Sequence, residues 1–393
     1  MAKKSSAPLD GVRVVELTSM ITGPLAGTLL ADLGAEVIKV ENPTDGDPFR
    51  SFRGGSYSPY FCTYNRNKKG LTLNLKGSHG RAAFLKLVES ADVLIVNFRS
   101  GVMERLGLGA ETLQELNPRL IVCSITGFGE SGPYADRPAY DAVGQALSGI
   151  SSLLLGADAQ ITGPSIADNL TGMTASYAIL GALYQRERTG QGRSIQLNML
   201  ESTIAFIADP FANYTMAGVR PDPLMRVRAS QSYALRCADG KLLAIHMSSP
   251  AKFWTGMLQA LDRMDLASDP RFSERVARLD NYDALAVELN KTSGTQTREH
   301  WIERLVANDV PHAPVLTLPE VVEDPQVQHL GTFTEITHPV HGPQMTIRRP
   351  VLYDGSRDDQ PLDAAPDLGE HSVEVLTSLG LSAEVVEAVR RGE

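Results

Sequence analysis

Asp168 stands in Pro164-Ser165-Ile166-Ala167-Asp168-Asn169, immediately ahead of a long helical stretch. A carboxylate there can serve as an N-cap, accepting hydrogen bonds from the first free helical N–H groups. The same helix start stabilises the ionised form that nucleophilic catalysis requires. On the residues alone both roles stay open. The loop Thr18 to Pro24 lies between an apolar strand and a helix, so its N–H groups either seat an anion such as a phosphate or simply make a turn that needs Gly23. It lacks the GxGxxG pattern of dinucleotide sites. Asn65-Arg66-Asn67-Lys68-Lys69-Gly70 is the densest basic cluster. Its cations suit phosphates, bidentately through Arg66, although a solvated charge run is the commoner origin of such a pattern. Arg99 and Arg105, near the end of a later strand, carry the same two readings.

Other reactive residues form no constellation. His79, His246, His300 and His312 are scattered and fit structural or surface roles. His338 and His341 are closer, but Pro339, Gly342 and Pro343 oppose a helix and no third ligand stands nearby, so both read as loop residues and no metal site is assigned. Cys62, Cys123 and Cys237 are far apart, fitting small core residues in a reducing cytoplasm. No Gly-x-Ser-x-Gly elbow appears. The net charge of -9 disfavours nucleic acid and anionic membranes as partners. No apolar stretch follows Lys3 and Lys4, and no apolar run reaches the roughly 18 residues a membrane span needs.

These residues need a scaffold, and the spacing predicts one. Strand Val12 to Leu17, a helix opened by Pro24, and strand Glu36 to Val40 make one βαβ unit, with Gly34 placed for a left-handed helix cap. A polar loop, Asn42 to Pro59, leads to strand Leu71 to Leu75, helix Ser78 to Ser90, strand Val93 to Phe98, helix Ala110 to Leu116 and strand Leu120 to Thr126. Such alternation predicts an α/β fold with a doubly wound, Rossmann-like parallel sheet whose ligands sit at the carboxyl ends of the strands. Helix Thr171 to Arg188 carries Met173, Tyr177, Leu180 and Tyr184 on one stripe, and strand Ser194 to Asn198 and an apolar helix beyond Glu201 follow. Pro210 to Pro223 interrupts the periodicity and reads as a domain junction before a smaller domain. At 393 residues the chain exceeds a single core of about 250 to 300, so two domains are expected.

Taken together, the chain resembles the class III CoA-transferases, a family that includes formyl-CoA and carnitine CoA-transferases and shares its fold with α-methylacyl-CoA racemase. The resemblance runs through Pro8 to Leu17, Gly23-Pro24, Leu33 to Glu41, Asn65 to Lys69, Ala91 to Arg99, Gly101 to Gly107 and Leu116 to Leu120. It continues in Gly127-Phe128-Gly129, Gly132-Pro133, Ala139-Tyr140-Asp141, Ala167-Asp168, Arg188 to Gly192 and Val310 to Val315.

The resemblance implies a large α/β domain, 1–215 completed by 330–393, a small α+β domain, 225–325, and an interlocked homodimer. It places the nucleophilic aspartate at Asp168, carrying first an acyl group and then CoA. CoA contacts then fall on Met20, Ile21 and Gly23, on Leu73, Asn74, Leu75 and Lys76, on Asn97, Phe98 and Arg99, and on Arg105. Tyr140 and Asp141 match positions beside the nucleophile. Acyl-CoA and a carboxylic acid are the substrates, with no prosthetic group. Ile21 and Asn42 depart from the glutamine and arginine of the formyl-CoA enzymes, and the glycine-rich loop of those enzymes has no counterpart here, which argues against oxalate and formate as the natural pair. A racemase of this fold carries histidine where this chain has Tyr140, and tyrosine is a poor proton shuttle at neutral pH. A nicotinamide-linked dehydrogenase is weakened by the missing glycine fingerprint, and a silent acyl-CoA-binding protein by the retained Asp168. Arg226 and Arg228 either clamp the second carboxylate of a C4 or C5 dicarboxylic acceptor or stand as surface charges.

Overall fold

The computed structural model describes residues 7–155, 160–161, 163–248, 250–357 and 361–392. From the start run β1 (Arg13–Leu17), α1 (Thr22–Ala31), β2 (Glu36–Glu41), α2 (Pro59–Asn65), β3 (Lys68–Thr72), α3 (Ser78–Glu89), β4 (Val93–Val96), α4 (Val102–Arg105) and α5 (Ala110–Leu116). They continue as β5 (Ile121–Thr126), α6 (Asp141–Ser148), α7 (Ile150–Leu154), α8 (Ile166–Thr189), β6 (Arg193–Asn198) and α9 (Met199–Phe206). The strands form one parallel sheet in the order β3-β2-β1-β4-β5-β6. The chain therefore works outward from β1 to β3 and returns to the other side at β4. That reversal opens a crevice at the carboxyl ends of β1 and β4.

Burial on both faces explains the uninterrupted apolar strands. Neighbouring residues of a strand point to opposite sides. Val14 packs with Leu30 of α1 and Ile179 of α8 on one face. Val15, next to it, packs with Phe84 and Leu87 of α3 on the other.

Two compact units divide the chain, one within Met1–Pro210 and Gly331–Glu393, the other within Phe211–Leu330. The second holds an antiparallel sheet of β7 (Ser232–Arg236), β8 (Leu242–His246) and β9 (His312–Pro314). Helices α10 (Ala251–Ala260), α11 (Tyr282–Ser293) and α12 (Arg298–Ala307) build its core through Trp254, Leu285 and Trp301. In the first unit, the hairpin of β10 (Phe333–His338) and β11 (Gly342–Ile347) precedes α13 (Ser372–Ser378) and α14 (Ala383–Arg390). These two helices bring Val375, Leu376, Val386 and Val389 to the core of the large sheet.

Three local expectations are corrected. The third strand occupies Lys68–Thr72 rather than Leu71 to Leu75, because Lys68 is neutralised inside the protein and pairing with β2 ends at Glu41 opposite Thr72. The helix expected from Thr171 starts at Ile166. Residues 208–217, within or beside the expected Pro-rich junction, are helical, since Pro210 stands in the first turn where a missing N–H has no partner to lose. Among the described residues no helix is long and apolar enough to cross a membrane.

Candidate active site

Because α8 begins at Ile166 after Ser165, Asp168 is the third residue of the helix rather than its cap. Its backbone N–H donates to Asp141 Oδ1 at 3.1 Å. Asp141 opens α6, and its other oxygen accepts from Gln145 Nε2 at 2.6 Å. Gln145 also reaches the Pro164 carbonyl at 3.3 Å, tying α6 to the strand of chain that delivers Asp168. Close approach does the rest: a Cβ on Gly144 would overlap Met199 and press Ala167.

The Asp168 carboxylate has no hydrogen-bond partner among the described residues and is half-buried. Burial first, and the Asp141 charge second, push its pKa up to about 7. It is therefore a basic carboxylate, still substantially ionised at neutral pH. Tyr64 of α2 senses it as well: burial raises the phenol, and the charges of Asp168 and Asp141 raise it further. Asn169 Nδ2 joins Tyr64 Oη at 3.4 Å to the Ser165 carbonyl at 2.6 Å.

One helical turn beyond Asp168, Gly172 brings α8 against α1. A Cβ there would lie 2.7 Å from the Thr22 carbonyl oxygen. The loop from β1 to α1 thus belongs to the same end of the sheet. Asn97, just past β4, accepts from the Ser19 N–H at 3.1 Å and donates to the Ser19 carbonyl at 2.8 Å and to Thr22 Oγ1 at 3.2 Å. Gly23 leaves no room for a side chain beside Thr18, and the Ile21 side chain is buried against Phe49 and Phe61. Only the backbone of Ile21 remains for a ligand. Leu73 is buried, and Leu75 and Phe98 pack partly against the core. Asn74 donates to the Gly392 carbonyl at 2.8 Å and accepts from Lys76 N–H at 3.1 Å. Lys76, Arg99 and Arg105 are exposed, with no carboxylate partner among the described residues. Tyr140 precedes α6 and is 66% exposed.

The basic cluster took neither expected form. Lys68 Nζ is fully buried, 2.6 Å from Glu16 Oε2, and Arg66 pairs with Asp32. Lys69 bridges Glu36 at 2.9 Å and Glu374 at 2.7 Å. Lys68 and Arg66 thus neutralise buried carboxylates, and Lys69 is engaged by two partly exposed ones, so these cations are already paired within the protein. Arg228 pairs with Asp222 at 3.0 Å and lies 3.8 Å from Asp283; Arg226 shares its short helix, Met225–Ala229.

The histidine pair also has a neighbour that the sequence hid. His341 Nε2 lies 2.8 Å from Asp367 Oδ1, and His338 Nε2 lies 3.9 Å from Asp367 and from Glu370. His338 Nδ1, however, accepts from the N–H groups of Val340 and His341 at 3.1 and 3.2 Å. The proton of its neutral ring then sits on Nε2, which removes that atom as a metal ligand. The cysteines are free, and burial pushes Cys123 up to about 12.

Tyr64 and Gln145 carried no signal in the sequence. Neither lies in a recognisable motif, and only the packing of α2 and α6 brings them to Asp168 and Asp141.

The sequence profile described as CoA-transferase family III matches residues 9–372. The chain belongs to this family. Acetyl-CoA:oxalate CoA-transferase of Acetobacter aceti is 36% identical over 373 residues, covering 93% of this chain and 94% of that protein. Succinate–glutarate CoA-transferase of Agrobacterium fabrum is 35% identical over 392 residues, covering 95% and 96%. The crystal structure of a CAIB/BAIF family protein from Brucella suis superimposes with a TM-score of 0.83 at 33% identity, covering 95% of this chain and all of that one. As a family III CoA-transferase the enzyme uses CoA thioesters as substrates, and the racemase reading is not favoured.

Proposed function

We propose that this family III enzyme moves CoA from an acyl-CoA donor to a carboxylic acid through a thioester on Asp168. The observation that carries the reading is the Asp168 carboxylate itself: without a hydrogen-bond partner among the described residues, basic, and with its backbone N–H held by Asp141 at the start of α8. An Asp168 oxygen attacks the donor thioester carbonyl, giving a mixed anhydride and CoA thiolate. The thiolate attacks the aspartyl carbonyl, releasing the donor acid and leaving an aspartyl-CoA thioester. The acceptor carboxylate attacks that thioester, and the returning thiolate takes the acceptor acyl group and frees Asp168. Each step has a good leaving group, which direct exchange between two carboxylates lacks.

The CoA moiety is assigned to the crevice at β1 and β4, where Arg99 and Arg105 are exposed cations suited to phosphates, with Lys76 exposed beyond β3 at the same end of the sheet. A C4 or C5 dicarboxylate is the favoured acceptor, in keeping with the relative named for succinate and glutarate. Arg228, already paired with Asp222, is not needed for that assignment. A second copy of the chain is assigned to the exposed apolar face of α6 and α8, which presents Tyr140, Met173, Tyr177 and Tyr184. Free thiols suit a cytoplasmic setting.

Intact mass measurement after incubation with acyl-CoA donors tests the mechanism. A hydroxylamine-sensitive adduct of CoA mass is expected on the wild type and not on Asp168→Ala. No adduct with any donor, together with deuterium exchange at the α-carbon, would replace transfer by epimerisation.

A further inference from the structure

The loop Thr18 to Ile21 is held from beneath by charges that no ligand above it could touch. Met20, not a glycine, adopts a left-handed conformation with φ 68°. Such a conformation is unfavourable for a side-chain-bearing residue and persists only when its surroundings impose it. Here they do. The Met20 N–H donates to both oxygens of Asp47 at 3.2 Å. Lys39 Nζ donates to the Thr18 carbonyl at 3.1 Å and stands 2.9 Å from Asp47 Oδ2. The Lys39 side chain is fully buried, and Asp47 nearly so.

The pair sits in a balanced set. Glu16 receives Lys39 at 3.1 Å, Lys68 at 2.6 Å and Thr18 Oγ1 at 3.0 Å, so two buried lysines face two buried acids. Asp47 is fixed in turn by the Phe49 N–H at 2.9 Å, and its own N–H donates to Glu41 at 2.8 Å. Stability alone is a weak reason for such an arrangement, because well-packed apolar residues often replace buried ion pairs without loss. What the pair does, and an apolar pair could not, is grip two loop atoms: the Thr18 carbonyl oxygen through Lys39 and the Met20 amide nitrogen through both oxygens of Asp47. Asn97 fixes Ser19 between them.

We propose that the buried Lys39–Asp47 ion pair is a positioning element for the acyl-CoA substrate, holding the Thr18 to Ile21 backbone, with Met20 left-handed, in the shape that receives CoA. The pair does not touch the substrate. The inference rests on the assignment of CoA to this crevice.

The test is the charge-balanced double variant Lys39→Met/Asp47→Asn, which leaves Glu16 paired with Lys68. Kd for CoA by calorimetry, and KM against kcat for the donor that loads Asp168, are compared with the wild type. Affinity is expected to fall about ten-fold, the equivalent of about 1.4 kcal/mol, with kcat changed less than about two-fold. Adding Met20→Gly supplies a residue that takes positive φ without strain, and about half of the loss, counted as free energy, should return. If the double variant folds and binds CoA as the wild type does, the inference is overturned. It is overturned equally if Met20→Gly returns nothing, because the effect would then be one of charge and not of loop shape. Should the double variant not fold, Asp47→Asn alone carries the same expectations. A wild type that binds no CoA at all would instead sink the assignment of the crevice.

Discussion

Replacing Asp168 with asparagine is expected to stabilise the fold above neutral pH while abolishing transfer. An aspartate carboxyl in water ionises near 3.8, whereas burial and Asp141 hold Asp168 protonated up to about 7. That difference is about 3 units, each worth about 1.4 kcal/mol, which sets a ceiling of about 4 kcal/mol. The side chain is only half-buried, so solvent screening reduces the expected value to about 2 kcal/mol. The sign follows from proton counts. Between 3.8 and about 7 the folded state binds the proton and the unfolded state has lost it, so stability from this group is full below 3.8 and drains away as pH rises to 7. Asparagine has no proton to lose. Urea unfolding of both proteins at pH 5 and pH 8.5 should show a small advantage for Asp168→Asn at the lower pH and about 2 kcal/mol at the higher. Other titrating groups cancel in the comparison. An advantage equal at the two pH values, or a destabilised variant at pH 8.5, would refute the claim that the site strains this carboxylate.

Asp141→Asn removes the second cause of that strain while keeping an acceptor for the Asp168 N–H. The acid limb of the rate of adduct formation should move to lower pH, and an unmoved limb would mean burial acts alone. Gly27→Ala would drive a methyl group into Glu16 Oε2, beside Lys68, and is expected to cost about 2 to 4 kcal/mol in urea unfolding; a neutral result would show that the buried charges can shift. Tyr177→Arg places a cation on the exposed face of α8, where Tyr177 is 68% exposed. Light scattering should report a smaller assembly, and an unchanged mass would remove that face as the contact between copies.

The parallel sheet was legible because its strands are buried on both sides, which writes short apolar runs such as Val93-Leu94-Ile95-Val96 between helices. Asp168 stood out in the sequence through the resemblance of its motif, and the structure places it in the first turn of α8 with Asp141 on its N–H. The start of that helix was not legible, since Ile166 to Leu170 mixes polar and apolar residues, of which only Ala167 is fully buried. The stripe of Met173, Tyr177 and Tyr184 has helical spacing yet points outward, because periodicity marks a common face without saying what covers it. Lys68 was misread for a related reason. A lysine written next to Asn67 and Lys69 suggests solvent, and its partner Glu16 lies on another strand, fifty-two residues away by sequence number.

The late contribution of α13 and α14 sets a timetable for biosynthesis. Strand β3 is the last of its side of the sheet, and its outer edge is met by residues about 300 positions later: Asn67 N–H donates to the Asp363 carbonyl, and His371 N–H to the Gly70 carbonyl. A ribosome that has released β1 to β6 has therefore delivered a sheet with an open edge and an apolar face awaiting Val375, Leu376 and Val389. The unit within Phe211–Leu330 is continuous and can fold as it emerges. The first unit cannot finish until residues 363–389 have emerged, so a nascent chain stalled before residue 363 exposes an edge strand primed for wrong pairing and is the natural client of a chaperone.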